Sequence, residues 1–246
     1  MRTILLAAGG SEAYAEAGYY YPKNLVEVAG KPLVQHVIEH LGAVATDGRL
    51  LAMVRRDEDL RYFTGRVIRL VEPTAAVLPV DATSGAACTA LLAVEHIEPD
   101  EPLLLVNGDQ VLLDPLDDIV AGFAGRGLDA GVVVFAGVHP RWSYVRVDAD
   151  DLVIEASEKR PISRLATAGA YWFARGGDFV ECAMAMIRKD AHVGGQFYVC
   201  PTLNEMVLRN ARVGIHRVER TDYLSLHDPQ ALAGFEAHLA SGRIAA

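Results

Sequence analysis

The 246-residue chain carries 32 acidic against 23 basic residues, a formal net charge of −9 that gives no electrostatic footprint for nucleic acid. With 51% hydrophobic and 22% charged residues it reads as a globular chain able to bury a full core, which excludes disorder. The longest apolar runs, near Leu103–Val106 and Gly131–Ala136, are strand-sized and too short for a membrane span. The run Ile4–Ala8 is likewise too short for the apolar core of a leader. Cys88, Cys182 and Cys200 are odd in number and lack CxxC or zinc-finger spacing, so reduced, mostly buried thiols of a cytoplasmic protein are expected.

The first half alternates strand-like and helix-like segments. Thr3–Ala7, Leu50–Val54, Val67–Val71, Leu103–Val106 and Ala130–Phe135 are near-continuously apolar, as parallel strands covered on both faces should be. Pro32–Val44 places Leu33, Val34, Val37, Ile38 and Leu41 at helical spacing; Ser84–Ile97 and Asp117–Phe123 are further helices. This order predicts an α/β fold with a mostly parallel, Rossmann-like sheet flanked by helices. After Gly137 the pattern changes. Trp142–Val147 and Leu152–Ala156 read as a hairpin turning at Asp148–Asp151, and Ala168–Phe173 as another strand. Phe179–Ile187 and Pro201–Leu208 are helical, Val213–Val218 is a late strand and Pro229–Leu239 a closing helix. Residues 1–246 are expected to form a single domain whose halves, 1–136 and 137–246, differ in character, the second carrying a small β extension.

The segment Leu6-Ala7-Ala8-Gly9-Gly10 ends the first strand in small residues, where a ligand can approach the backbone closely. Alone, such a glycine pair is equally an ordinary strand-to-loop turn, and no G-x-G-x-x-G fingerprint follows. Pro22-Lys23 and Gly30-Lys31-Pro32-Leu33-Val34 come next. In this order the segments resemble the nucleotidyltransferase family that makes sugar nucleotides and CMP- or CDP-linked metabolites. That family carries a "LAAG-x-G-x-R" loop, a "PK" pair and a "G-KP" helix start. The resemblance extends over nearly the whole chain and implies a catalytic, phosphate-binding role for Lys23. It also has a gap: the family's second loop glycine falls on Ser11 and its phosphate-binding arginine on Ala13. Arg55, Arg56 and Lys31 are the candidates to replace that cation.

Leu103–Val106 runs into Asn107-Gly108-Asp109. A carboxylate at a strand's end can simply cap a turn. The resemblance implies instead that Asp109 holds Mg²⁺, which takes one or two carboxylates together with phosphate oxygens and water. Thr83-Ser84-Gly85 opens a helix and can be read as a cap with a packing glycine; the family uses this position to read the base. The family's second metal aspartate falls on Ser225, which leaves Asp222 as a neighbouring metal candidate or as part of a polar loop.

Glu158-Lys159 matches the family's "EKP" segment and implies an acceptor clamp, with Lys159 on the acceptor phosphate and Glu158, Gly169, Tyr144 and Tyr198 around the substrate. A salt-bridged surface pair and packed aromatics are the alternative reading of the same residues. No Ser-His-Asp or Cys-His arrangement is evident. None is required, because a phosphate acceptor is already largely ionised near neutral pH. The expected function is transfer of a nucleoside monophosphate from an NTP, pyrimidine favoured, to a small phosphorylated or phosphonate acceptor. A sugar-1-phosphate nucleotidylyltransferase and a catalytically weak nucleotide-binding regulatory homologue are the alternatives. The expected partners are the NTP and the anionic acceptor, with neither nucleic acid nor membrane, and a homodimer is allowed.

Overall fold

The fold comes from a computed structural model that describes residues 1–241. In chain order the elements are β1 (Arg2–Ala7), α1 (Glu12–Glu16), β2 (Glu27–Val28), β3 (Lys31–Pro32), α2 (Leu33–Leu41), β4 (Leu50–Arg55), α3 (Arg56–Tyr62), α4 (Thr64–Val71) and β5 (Ala76–Val80). Then follow α5 (Ala86–Leu91), β6 (Leu103–Asn107), β7 (Gln110–Leu112), α6 (Leu116–Gly125) and β8 (Ala130–Ala136). The remainder comprises β9 (Ser143–Val147), β10 (Val153–Glu158), β11 (Leu165–Phe173), α7 (Gly176–Arg188), α8 (Thr202–Leu208), β12 (Val213–Val218), β13 (Tyr223–Ser225) and α9 (Pro229–Ala240).

The chain folds as two compact units that interleave in sequence, and neither coincides with one half of the chain. One unit takes residues 1–4, 83–106 and 117–220. Its strands run in the order β10-β9-β11-β6-β1, with β8 paired to β11 and β12 to β8. β12 is parallel to β8, whereas β11 runs antiparallel to β6, β8 and β9. The predicted hairpin is present as β9–β10, and Gly169 sits at positive φ where the β11–β8 register shifts. Leu103–Val106 and Ala130–Phe135 are buried on both faces, which explains their uninterrupted apolar sequences. Cys182 and Cys200 are buried and Cys88 is half-buried, all as free thiols.

The other unit takes residues 5–82, 107–116 and, of the described residues, 221–241. β4 pairs in parallel with β5, and β13 pairs antiparallel with β7. All of Leu50–Val54 is buried, and α2 packs Leu33, Val34, Val37, Ile38 and Leu41 inward, as its spacing predicts. Asp228 caps α9 through the Ala231 N–H, with Pro229 at the first helical position.

Two expectations are corrected. Val67–Val71 is not a strand but the second half of α4. Thr64, Gly65 and Ile68 are buried while Leu70 is 83% exposed, a helical rather than an alternating pattern. The neighbouring strand is β5, whose Pro79 cannot donate to a ladder; β5 pairs with β4 on one side and is an edge strand, where proline is tolerated. The helix expected over Ser84–Ile97 is shorter. Gly85 at positive φ delays its start, and after Leu91 the chain tightens into a 3₁₀ turn at Val94–His96.

Candidate active site

The second unit gathers its polar residues where β1 ends. Leu6 is half-buried and Ala7 buried, and Gly9 and Gly10 are exposed beyond them. Gly108 is what lets the next segment close on this end. Its N–H donates to the Leu6 carbonyl at 3.0 Å, and a Cβ there would lie 2.7 Å from Ala7 Cα. That contact leaves room only for glycine and places Asp109 beside the loop.

Lys23, in the turn Lys23–Leu25, reaches Asp109 with Nζ 3.1 Å from Oδ2. The lysine side chain is only 5% exposed and the aspartate 27%. The same lysine Nζ would lie 3.4 Å from a Cβ built on Gly9. Lys23 therefore borders the small-residue loop and the carboxylate at once. Its backbone N–H donates to Ser11 Oγ, whose hydroxyl donates to Glu58 at 2.8 Å. The neighbouring Asn24 is buried and donates to the Ala7 carbonyl.

His227 stands 3.4 Å from the same Asp109 oxygen. Burial alone would raise the Asp109 carboxyl, but the Lys23 ammonium and then His227 outweigh it and hold the group well below the usual carboxylate range. The Asp109 hydrogen bond raises His227 in turn. From below, Leu226 N–H donates to the Asp109 carbonyl and the Leu226 carbonyl accepts from Tyr14 Oη, both at 2.8 Å. Tyr14 is fully buried, and that burial lifts its phenol far above its ordinary value. His227, Tyr14 and the Ser11–Glu58 bond were not expected from the sequence. They carry no motif of their own, and only the pairing of β13 with β7 brings 223–228 to Asp109.

That pairing also locates Asp222. Leu226 stands opposite Asp109, whereas the Asp222 carbonyl accepts from the Leu113 N–H, roughly 13 Å away along the strand. Ser225, paired with Gln110, is the nearer residue. Asp222 is thus not drawn into the Asp109 cluster. Among the described residues no group of three or more His, Cys, Asp or Glu side chains converges as a metal cage. The donor set fits Mg²⁺, which needs only one or two carboxylates from the protein. Asp109 is ionised and partly exposed, and only its Oδ2 is engaged by Lys23 and His227.

The acceptor-side residues lie in the first unit. Lys159, at positive φ just past β10, holds Nζ 4.9 Å from the centroid of the Tyr198 ring, and contact with Tyr198 raises its ammonium. Glu158 is buried and bonded by the Ser143 hydroxyl; burial pushes its carboxyl up, against the lowering pull of Ser143 and Lys159. Two expected positions serve packing here. Tyr144 is completely buried and its hydroxyl donates to the His139 carbonyl, so it belongs to the core rather than to a substrate wall. At Gly85 the close approach is made by the chain's own Phe197 backbone: Phe197 N–H donates to the Ser84 carbonyl, and Ala87 N–H to the Phe197 carbonyl. Thr83 bonds Thr89 and the Gly85 carbonyl, which completes an internal cap.

The fold is of the α/β class, with helices against a strand-rich core. The model of the MobA-like NTP transferase domain matches residues 3–170, and the chain belongs to this family. The bifunctional protein GlmU of Methanocaldococcus jannaschii is 27% identical over 176 residues, 70% of this chain and 40% of that protein. The CMP-5'-(3-aminopropyl)phosphonate synthase of Streptomyces rubellomurinus is 26% identical over 161 residues, 65% of this chain and 25% of that protein. The chain therefore aligns with less than half of each of these relatives. In fold it is similar to a nucleoside-diphosphate-sugar pyrophosphorylase from Vibrio cholerae, with a TM-score of 0.83, 24% identity, and 96% of this chain and 99% of that one covered. The α/β sheet flanked by helices is the expected nucleotidyltransferase architecture. Among the described residues no helix is long and apolar enough to cross a membrane.

Proposed function

We propose that this chain is a nucleotidyltransferase that moves a nucleoside monophosphate from an NTP to a small anionic acceptor. An acceptor phosphate or phosphonate oxygen attacks the α-phosphorus, the bond to the bridging oxygen of the β-phosphate breaks, and pyrophosphate leaves. Catalysis rests on in-line positioning and charge neutralisation, not on a side-chain nucleophile. The observation that carries the reading is the buried Lys23–Asp109 pair against the small-residue loop at the end of β1. Asp109 would hold Mg²⁺, which supplies positive charge to the phosphates. Lys23 supplies a fixed ammonium at the loop beside Gly9, and Lys159 with Tyr198 offers a cation for the acceptor.

A pyrimidine nucleotide and a phosphonate or phosphorylated acceptor are favoured, a reading supported by the likeness to a CMP-phosphonate synthase. A sugar 1-phosphate is the competing acceptor, supported by the likeness to a sugar-nucleotide pyrophosphorylase. The test is pyrophosphate release with Mg²⁺ and each of CTP, UTP, dTTP, GTP and ATP, against sugar phosphates, phosphonates and small phosphorylated acids. Release with one NTP–acceptor pair, abolished by Asp109→Asn, is expected. Silence across the whole panel would sink the enzyme reading.

A further inference from the structure

The loop after β1 has alanine at position 13, where the family's loop carries its arginine, so a bound triphosphate needs a cation from elsewhere. Three basic residues could supply it, and the structure separates them. Lys31 is committed to Glu39 at 2.9 Å. Arg56 bonds Asp81 and the Pro79 carbonyl along β5. Arg55 alone of the three reaches the loop, with a guanidinium nitrogen 3.6 Å from Glu12 Oε1.

Arg55 closes β4, and its guanidinium is held from behind by a two-pronged bond to Asp57, at 3.0 and 2.8 Å. The fork is thus set in place before any ligand arrives, and it remains 28% exposed. Its second carboxylate, Glu12, curls back so that a Cβ added at Gly10 would fall on it. A carboxylate therefore fills the space over the Gly10 backbone and faces a preset guanidinium. One turn further along α3, Glu58 accepts from Ser11, and Ser11 Oγ accepts the backbone N–H of Lys23. The segment Arg55–Glu58 so grips the loop at two points and ties it to the lysine that borders Asp109.

We propose that Arg55 is the cation that takes over the triphosphate-binding role of the absent loop arginine, and that the Glu12 carboxylate is an internal stand-in for a phosphate group. Asp57 takes the two-pronged face of the guanidinium and Glu12 meets only Nη1, whose N–H groups can donate to a phosphate oxygen as to a carboxylate oxygen, so one can exchange for the other. Binding swings Glu12 out and leaves Arg55, backed by Asp57, on the polyphosphate. That the polyphosphate is an NTP rests on the nucleotidyltransferase reading; the site itself does not.

The test is calorimetric titration, with Mg²⁺, of the full chain and its Arg55→Gln, Arg55→Lys, Glu12→Gln and Arg56→Gln variants. The probes are inorganic tripolyphosphate and the best-bound of the five common NTPs. Losing one charge-assisted bond should weaken both probes about tenfold or more in Arg55→Gln. Arg55→Lys should fall between, Glu12→Gln should bind severalfold tighter, and Arg56→Gln should match the unaltered chain. Unchanged tripolyphosphate binding in Arg55→Gln, or in Arg55→Lys if the first does not fold, overturns the inference. So does weaker binding in Glu12→Gln, which would make the pair a loop brace only, or a parent chain that binds no tripolyphosphate. If tripolyphosphate binds in the expected order but no NTP does, the Arg55 site stands and the nucleotidyltransferase reading falls.

Discussion

Replacing Asp109 by asparagine separates a structural role of its ion pair from a functional one. At 3.1 Å the Lys23 and Asp109 charges attract by about 5 kcal/mol for an effective dielectric of ~20. Most of that is spent on desolvating a lysine side chain that is only 5% exposed. Removing the carboxylate charge keeps the cost and loses the return, and strands a buried ammonium. A loss of about 2–4 kcal/mol follows, tempered by the partial exposure of Asp109. In a chain of this length each kcal/mol moves Tm by about 2–4 °C, so Asp109→Asn should melt roughly 5–15 °C lower. The variant carrying Lys23→Met as well should recover half or more of that loss, because both buried charges are then gone and methionine fills the lysine's path. Thermal unfolding of the single and paired variants reads this directly. Pyrophosphate release should stay absent in all of them, stability regained or not. A cost below about 1 kcal/mol for Asp109→Asn, or no recovery on adding Lys23→Met, would refute the pairing argument.

Gly108→Ala should cost about 1–3 kcal/mol and abolish turnover, since its Cβ would press on Ala7 Cα at 2.7 Å and part Asp109 from the loop; a folded, fully active variant would contradict this. Tyr14→Phe removes the donor to the Leu226 carbonyl and should cost about 1 kcal/mol, read by denaturant midpoint at unchanged slope. Glu158 gives a pH signature. Burial raises its folded-state carboxyl above the ordinary value of 4.5, so the folded chain holds that proton more tightly than the unfolded one. The resulting stabilisation is complete below 4.5 and is lost as pH rises through the raised value. Glu158→Gln cannot ionise and still accepts from Ser143, so its Tm relative to the parent should climb between pH 4 and pH 7. A flat or falling difference would show that the buried carboxyl is not under strain.

The fold was legible where burial was two-sided. Leu103–Val106 and Ala130–Phe135 announce strands because both faces are covered, and α2 announces itself by its stripe. Val67–Val71 misled because four apolar residues in five look like a buried strand, and only the fold shows that Leu70 faces solvent. Within the site, Lys23 and Asp109 were picked out by the resemblance of their segments to a family pattern, since alone they read as a surface lysine and a turn cap, and the structure brings the two together. His227 and Tyr14 were invisible for a physical reason. Each reaches Asp109 through a pairing more than a hundred residues away in sequence, which no local spacing encodes. Gly85 was ambiguous in the sequence because close backbone approach by a ligand and by Phe197 demand the same missing Cβ.

The overall charge of −9 explains why the cations around the loop are not bare. A lysine exposed to bind phosphate would be screened by water and by a surrounding excess of acid; a buried one avoids screening but must be balanced. Lys23 is balanced by Asp109 and Arg55 by Glu12 and Asp57. On the proposed reading, nucleotide binding is therefore an exchange of partners rather than an addition of charge. Asp109 would hold Mg²⁺ and so release Lys23 for phosphate, while Glu12 would yield Arg55 to the polyphosphate. The two exchanges differ in their exposure to salt. The Lys23 exchange occurs at a side chain 5% exposed, whereas Glu12 is 74% exposed and its pairing with Arg55 is open to screening. Added salt should then weaken the Arg55-dependent part of polyphosphate binding and leave the Lys23-dependent part largely intact. The salt slope should flatten in Arg55→Gln and persist when Lys23 is changed to methionine. Equal slopes in both variants would mean that the two cations act as one screened patch, and the exchange picture would fail.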